Sequence, residues 1–206
     1  MDTTAVMVLW ICWCSMHSIL IDFRVTQWVK RCLPGLLRYY RLLYNGLSLF
    51  TLWPLVTYTR EADGEVLFSW QGWGVSVRIL LLLSALILFW SGAQRYDIRS
   101  FLGITQLKAG QTRLLLSTSC DFLPIGVFGI TRHPWYLGSL FCIWTLYTEY
   151  SIPVFCAAII LSLYLVVGSQ LEERKIIREY GNSYRRYQQQ VSMLFPWKWL
   201  KTHLKL

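Results

Sequence analysis

Apolar stretches separated by short charged clusters divide this chain into five segments, residues 5–21, 42–56, 75–90, 135–147 and 152–168. Several fall short of the roughly 20 residues an ideal membrane-crossing helix needs. Flanking Arg, Trp and Tyr can extend each by snorkelling to the interface. The pattern predicts an all-α integral membrane protein: five transmembrane helices and a cytoplasmic C-terminal amphipathic helix, in a single domain over residues 1–206. Only residues 148–151 separate the fourth and fifth segments, and Pro153 follows at the next helix start. So short a connection predicts a tight antiparallel hairpin. Beyond it, Ile177, Tyr180, Tyr184, Tyr187 and Val191 recur at steps of three and four, the spacing of one helix face, with Gly181 as an interruption. Residues 95–123 are long for a bare connection, and Ile98, Phe101, Leu102 and Leu114–Leu116 suggest short interfacial helices there. The first segment does not read as a signal peptide: its n-region carries Asp2 and no cation, and no small-residue cleavage site follows, so it is expected to remain.

Charge gives these segments an orientation. Residues 22–41 hold Arg24, Lys30, Arg31, Arg38 and Arg41 against Asp22. Residues 91–132 hold Arg95, Arg99, Lys108, Arg113 and Arg132 against Asp97 and Asp121. The tail from Leu171 holds eight Lys/Arg and three acids, whereas the intervening segments offer only Arg60 and Arg78, against Glu61, Asp63 and Glu65. With five crossings, 18 of the 20 basic residues fall on one side. The positive-inside rule then places the N-terminus outside and the C-terminus in the cytoplasm. The net charge of +9 is thus a topology signal, and nucleic acid drops out as a partner. An apolar fraction of 55% with 11 Trp and 12 Tyr fits the lipid bilayer as the solvent. Cys12, Cys14, Cys142 and Cys156 lie in predicted spans, and only Cys32 and Cys120 in loops, which argues against a secreted disulfide framework. His17, His133 and His203 are scattered, and no Cys/His spacing suggests a metal site.

Candidate chemistry gathers where the fourth segment begins and the fifth ends. Arg132-His133-Pro134 opens one and Glu172-Glu173-Arg174-Lys175 closes the other. Ionisable groups at the edge of hydrocarbon are costly, about 2.5–3.5 kcal/mol at a helix centre and less toward its ends. Pro134 suits a first helical turn, where its missing N–H leaves nothing unsatisfied. The hairpin brings Arg132-His133 beside Glu172-Glu173, and two polar clusters meeting at one membrane face mark a site. The plainer alternative for both is interfacial anchoring, and for the tyrosines it is packing.

The residues in this region carry a specific resemblance. Gly126, Phe128, Arg132-His133-Pro134, Tyr136 and Gly138, then Glu172-Glu173, then Tyr180-Gly181, Tyr184, Tyr187, Val191 and Pro196, resemble the isoprenylcysteine carboxyl methyltransferase and phospholipid methyltransferase superfamily of membrane enzymes. The match covers residues 126–196. His17-Ser18, Arg41 through Asn45, and Tyr96-Asp97-Ile98 with Phe101 and Gly103 resemble its NnrU-like and methanethiol methyltransferase branch. At the third motif position the family's usual aromatic is Phe128, and Ile176 stands where Leu usually follows the double Glu.

The resemblance implies an S-adenosylmethionine-dependent methyltransferase in a bacterial inner membrane. Its acceptor would be a small apolar or amphiphilic molecule, a thiol, a prenylcysteine-like carboxylate or a lipid amine. The implied catalytic group is Arg132, His133 and Glu173. The implied cofactor set is Gly126, Arg132, His133, Pro134, Tyr136, Gly138, Glu172, Glu173, Tyr184 and Tyr187. Arg132 and His133 can take the cofactor's carboxylate, and Glu172 and Glu173 its amino group or ribose hydroxyls. Tyr136 and Tyr184 can line adenine or face the sulfonium. Gly126 and Gly138 would permit close approach. His17 and Asp97 are substrate-side candidates, with an ion pair to Arg95 the simpler reading of Asp97. No metal is expected. Sterol reductases share an Arg-His-Pro-aromatic pattern and use NADPH, and a non-catalytic accessory of nitrogen-oxide or redox metabolism is a third reading.

Overall fold

A computed structural model describes residues 2–95, 98–109 and 122–204. In chain order the elements are α1 (Thr3–Ile21), α2 (Phe23–Cys32), α3 (Leu37–Glu61), β1 (Val66–Ser69), α4 (Trp73–Ala93), α5 (Ile98–Leu102), α6 (Ile104–Ala109), α7 (Val127–Ile130), α8 (Pro134–Thr145), β2 (Glu149–Ser151), α9 (Ile152–Tyr180), α10 (Asn182–Gln190) and α11 (Trp197–Leu204), with a 3-10 turn at Pro34–Leu36. They form two compact units. The first holds described residues 2–68, 98–109 and 149–161, and the second 69–95, 122–148 and 162–204. Helix α9 supplies residues to both.

Among the described residues three helices, α1, α4 and α9, are long and apolar enough to cross a membrane. Their outward side chains, Leu80, Leu86, Ile87 and Trp90 on α4 among them, are exposed as lipid-facing residues should be. The second and fourth apolar segments lie in α3 and α8. Helix α3 has 25 residues but carries Arg38, Arg41, Arg60, Glu61 and an internal Pro54. Helix α8 has 12 residues, about 18 Å of rise, against a hydrocarbon core of about 30 Å.

In the first unit, α1 and α3 pair antiparallel along a ladder of polar contacts. Trp10 Nε1 donates to Thr59 Oγ1 at 2.9 Å, and Trp13 Nε1 to Thr51 Oγ1 at 3.1 Å. His17 sits between Ser48 Oγ at 3.1 Å and the Tyr44 hydroxyl at 2.5 Å, and Tyr40 donates to the Leu20 carbonyl at 2.5 Å. Val6, Trp10, Leu55, Ala62 and Ala157 form the apolar core around the ladder. In apolar surroundings such side-chain bonds fix which faces meet, since lipid tails compete equally well for apolar contact.

Two segments differ from the sequence expectation. Residues 22–41 contain α2, capped by Asp22 Oδ1 accepting from Arg24 N at 2.8 Å. The connection at 148–151 contains β2, which pairs with β1, and Ile152 N donates to Glu65 O at 2.9 Å. A distant partner thus satisfies backbone groups that a bare turn would leave to water. The interfacial helices expected after the third span appear as α5 and α6, while Leu114–Leu116 lies outside the described residues.

In the second unit, α8 packs antiparallel on α4. Trp135 Nε1 donates to Phe89 O at 3.1 Å, and Arg78 Nε to Thr145 O at 2.8 Å. Helix α8 also runs antiparallel to α9, where Trp144 Nε1 reaches Ser162 Oγ at 3.0 Å and the Tyr136 ring covers Gly168. These contacts bring Arg132-His133 alongside Glu172-Glu173.

Candidate functional site

Glu173 is the hub. It is 7% exposed and accepts from four side chains. Oε1 takes Arg132 Nε at 2.6 Å, Tyr184 Oη at 3.1 Å and His133 Nε2 at 3.2 Å. Oε2 takes Gln188 Nε2 at 2.7 Å. A carboxylate is acceptor-only when ionised, so the His133 nitrogen facing it carries the proton.

Arg132 also binds the tail. Its Nη1 donates to the backbone oxygens of Val191 and, at 3.2 Å, Gln188. The guanidinium thereby satisfies the last carbonyls of α10, where a cation is favourable. The two backbones join as well: Arg132 N donates to Ser192 O at 2.9 Å, His133 N to Met193 O at 3.2 Å, and Thr131 bridges Ser192 in parallel. Lys198 Nζ adds bonds to Gln188 O at 2.6 Å and Gln189 O at 3.0 Å. Behind the hub, Tyr184, Tyr187 and Val191 are buried together, with Phe122 packed against them.

Burial raises the Tyr184 hydroxyl well above the ordinary tyrosine range, and the neighbouring Glu173 charge adds to the effect. Tyr187, which donates to Phe128 O at 2.7 Å, is raised chiefly by burial. Both stay protonated donors through neutral pH. A folded-state value above the unfolded one means stability present below about pH 10 and lost as pH rises further. Thermal unfolding of the purified protein across pH 9–11 should show this fall, and Tyr184→Phe should make it shallower. An identical slope in the variant would show that Tyr184 contributes nothing to it.

Glu172 is different. Its side chain is 27% exposed, and Oε2 lies 3.9 Å from His133 Nδ1, beyond hydrogen-bond length. The Tyr136 ring meets the His133 ring edge-on at 5.3 Å. The result is a saturated buried carboxylate, a second carboxylate still able to accept, and a histidine between them.

A family model described as NnrU protein matches residues 5–194. The chain belongs to the NnrU family. Methanethiol S-methyltransferase 1 of Bradyrhizobium diazoefficiens is 28% identical over 88% of this chain and 62% of its own length. Methanethiol S-methyltransferase of Pseudomonas deceptionensis is 29% identical over 87% of this chain and 67% of its length. A Mycobacterium tuberculosis protein, also named Methanethiol S-methyltransferase, is 26% identical over 88% of this chain and 72% of its length. The chain thus spans less than two thirds of the Bradyrhizobium relative. No solved structure matches it.

In this NnrU chain Arg132, His133, Pro134, Tyr136, Glu172, Glu173, Tyr184 and Tyr187 lie together; the short hairpin predicted this for the Arg-His and Glu-Glu pairs, and the resemblance implied it for the tyrosines. Pro134 is the first residue of α8, with His133 as its N-cap. Of the two glycines expected to permit close approach, Gly138 sits at one and Gly126 does not. Gly126 has φ 61°, a left-handed turn at the head of α7, and a Cβ there would meet nothing within 4 Å. Gly138 lets α8 approach α4, since a Cβ would lie 3.3 Å from the Phe89 ring. His17 belongs to the α1–α3 ladder of the first unit, both ring nitrogens engaged. Asp97 lies outside the described residues. Gln188 and Lys198 were not singled out from sequence. Gln188 stands four residues after Tyr184 on one face of α10, a spacing that could have revealed it. Among the described residues no group of three or more His, Cys, Asp or Glu could hold a metal ion.

Proposed function

We propose that this chain is an S-adenosylmethionine-dependent membrane methyltransferase acting at the cytoplasmic face on a small apolar or amphiphilic acceptor, a thiol first among them. The observation that carries the reading is the hub at the open end of the α8–α9 hairpin, where Glu173 organises Arg132 and His133 while Glu172 stays accessible. The relatives' names support the same chemistry and point to a thiol.

The donor set suits an amino-acid-bearing cofactor. The Glu172 carboxylate would accept from its ammonium group, and the outer guanidinium nitrogen of Arg132 would meet its carboxylate. Tyr136 offers an aromatic face for adenine or for the sulfonium. When bound, S-adenosylmethionine supplies a methyl group already activated on sulfur. The protein's part is then to position and to exclude water, and the cross-linked tail fixes Arg132 and His133 for that task. A five-span topology with the N-terminus outside accompanies this reading. It puts reporter fusions after Tyr58 and Thr148 outside, and those after Thr105 and Leu206 in the cytoplasm. A cytoplasmic Tyr58 fusion would overturn it.

Calorimetric titration of detergent-purified protein with S-adenosylhomocysteine and with NADPH tests the cofactor. Binding of S-adenosylhomocysteine alone is expected. NADPH binding would favour a reductase, and no binding of either an accessory protein. Transfer from labelled S-adenosylmethionine to short alkyl thiols, prenylcysteine analogues and phosphatidylethanolamine tests the acceptor. Turnover of phosphatidylethanolamine alone would refute the thiol while leaving methyl transfer intact.

A further inference from the structure

Helix α2 is a cationic amphipathic helix that nothing in the proposed reaction uses. At 100° per residue, Val25, Trp28, Val29 and Cys32 fall on one side of it, and Arg24, Gln27, Lys30 and Arg31 on the other. Val29 is buried at 4% exposure, which pins one edge of the apolar side inward. Trp28 is 59% exposed, and Arg24 and Arg31 stand four residues before and three after it, so an indole and two guanidinium groups share one surface. The surface continues past Cys32, with Leu33, Leu36 and Tyr39 exposed and the Arg38 guanidinium 4.7 Å from the Tyr39 ring centroid. Arg24, Lys30, Arg31 and Arg38 are all exposed, and among the described residues none of them is in an ion pair. The local acid, Asp22, caps the helix instead.

We infer that α2 and the turn after it form a docking surface for the anionic phospholipid headgroups of the bilayer that α1 enters. Two observations select this occupant. Only Asp22 separates α2 from Ile21, the last residue of a membrane-crossing helix, so α2 starts at the interface. Its chemistry matches that layer, with a tryptophan suited to headgroup depth and unpaired cations suited to phosphodiesters. Tyr40 holds the start of α3 against the end of α1, so the segment between them is a closed loop set at that depth.

The test is hydrogen exchange of the full chain in nanodiscs of phosphatidylcholine alone and of phosphatidylcholine mixed with phosphatidylglycerol. Amides of residues 23–32 should exchange at least about tenfold more slowly with the anionic lipid, since each cation near such a surface contributes on the order of one kT or more. The triple variant Arg24→Gln, Lys30→Gln, Arg31→Gln should lose the difference, with α1 and α3 amides as a control for folding. The variant Arg24→Lys, Arg31→Lys should retain it. Equal exchange in the two lipids would overturn the inference, because apolar seating would then suffice. So would equal slowing by heparin in phosphatidylcholine nanodiscs, which would mark a general polyanion site.

Discussion

Glu173→Ala is expected to lower folding stability by about 3–5 kcal/mol, because it leaves Arg132 and His133 buried without their acceptor. The lost carboxylate also strands Tyr184 and Gln188, which donate to it from α10. Glu172→Ala, one residue away, should leave stability nearly unchanged, since its side chain is 27% exposed and only approaches His133. Its effect should fall on cofactor affinity, weakened about 10- to 150-fold by loss of a charge-assisted bond worth roughly 1.5–3 kcal/mol. Chemical unfolding in detergent measures the first effect and titration with S-adenosylhomocysteine the second. Equal loss of stability in both variants would sink this division of labour. A stable Glu172→Ala that bound as well as wild type would remove Glu172 from the cofactor site.

Arg132 should be the next most damaging position. Its fork spans a carboxylate and two backbone carbonyls, Gln188 and Val191, and thereby ties α8's entry to the end of α10. Arg132→Ala should cost stability on the same scale as Glu173→Ala and reduce cofactor affinity by about 10- to 150-fold. Arg132→Lys should recover only part of each, because a point cation cannot serve three acceptors in that geometry. The double variant Arg132→Ala, Glu173→Ala should be less destabilised than the sum of the singles, as groups in one network are coupled. Full additivity in unfolding would show that they act independently.

Much of this site was legible from residue types and spacing. Arg132-His133-Pro134 and Glu172-Glu173 stood out because charge beside long apolar runs demands a partner, and the short connection between the runs supplied one. The tyrosines stood out through helical periodicity. What spacing could not convey was saturation. Whether Glu173 is a ligand or a strut depends on how many donors converge on it, and two came from α10, whose approach is set by the turn at Gly181. Arg132's bonds to Gln188 O and Val191 O were hidden for a related reason, since every residue carries a carbonyl and none is marked in sequence. The β1–β2 pairing escaped notice because its strands are only four and three residues long. Helix α2 looks like a charged loop in the sequence because its cations outweigh its few apolar positions.

The polar rungs between α1 and α3 act as a vernier on how the two helices can slide. Displacing one past the other by a single turn, about 5.4 Å, would uncouple Trp10, Trp13, His17 and Tyr40 from their partners in one step. Apolar side chains alone would offer many nearly equivalent offsets, because leucine against leucine resembles leucine against lipid. The donors and acceptors make one offset far better than its neighbours. The two helices can therefore form separately and still converge on a single alignment, with mistakes rejected at every rung together.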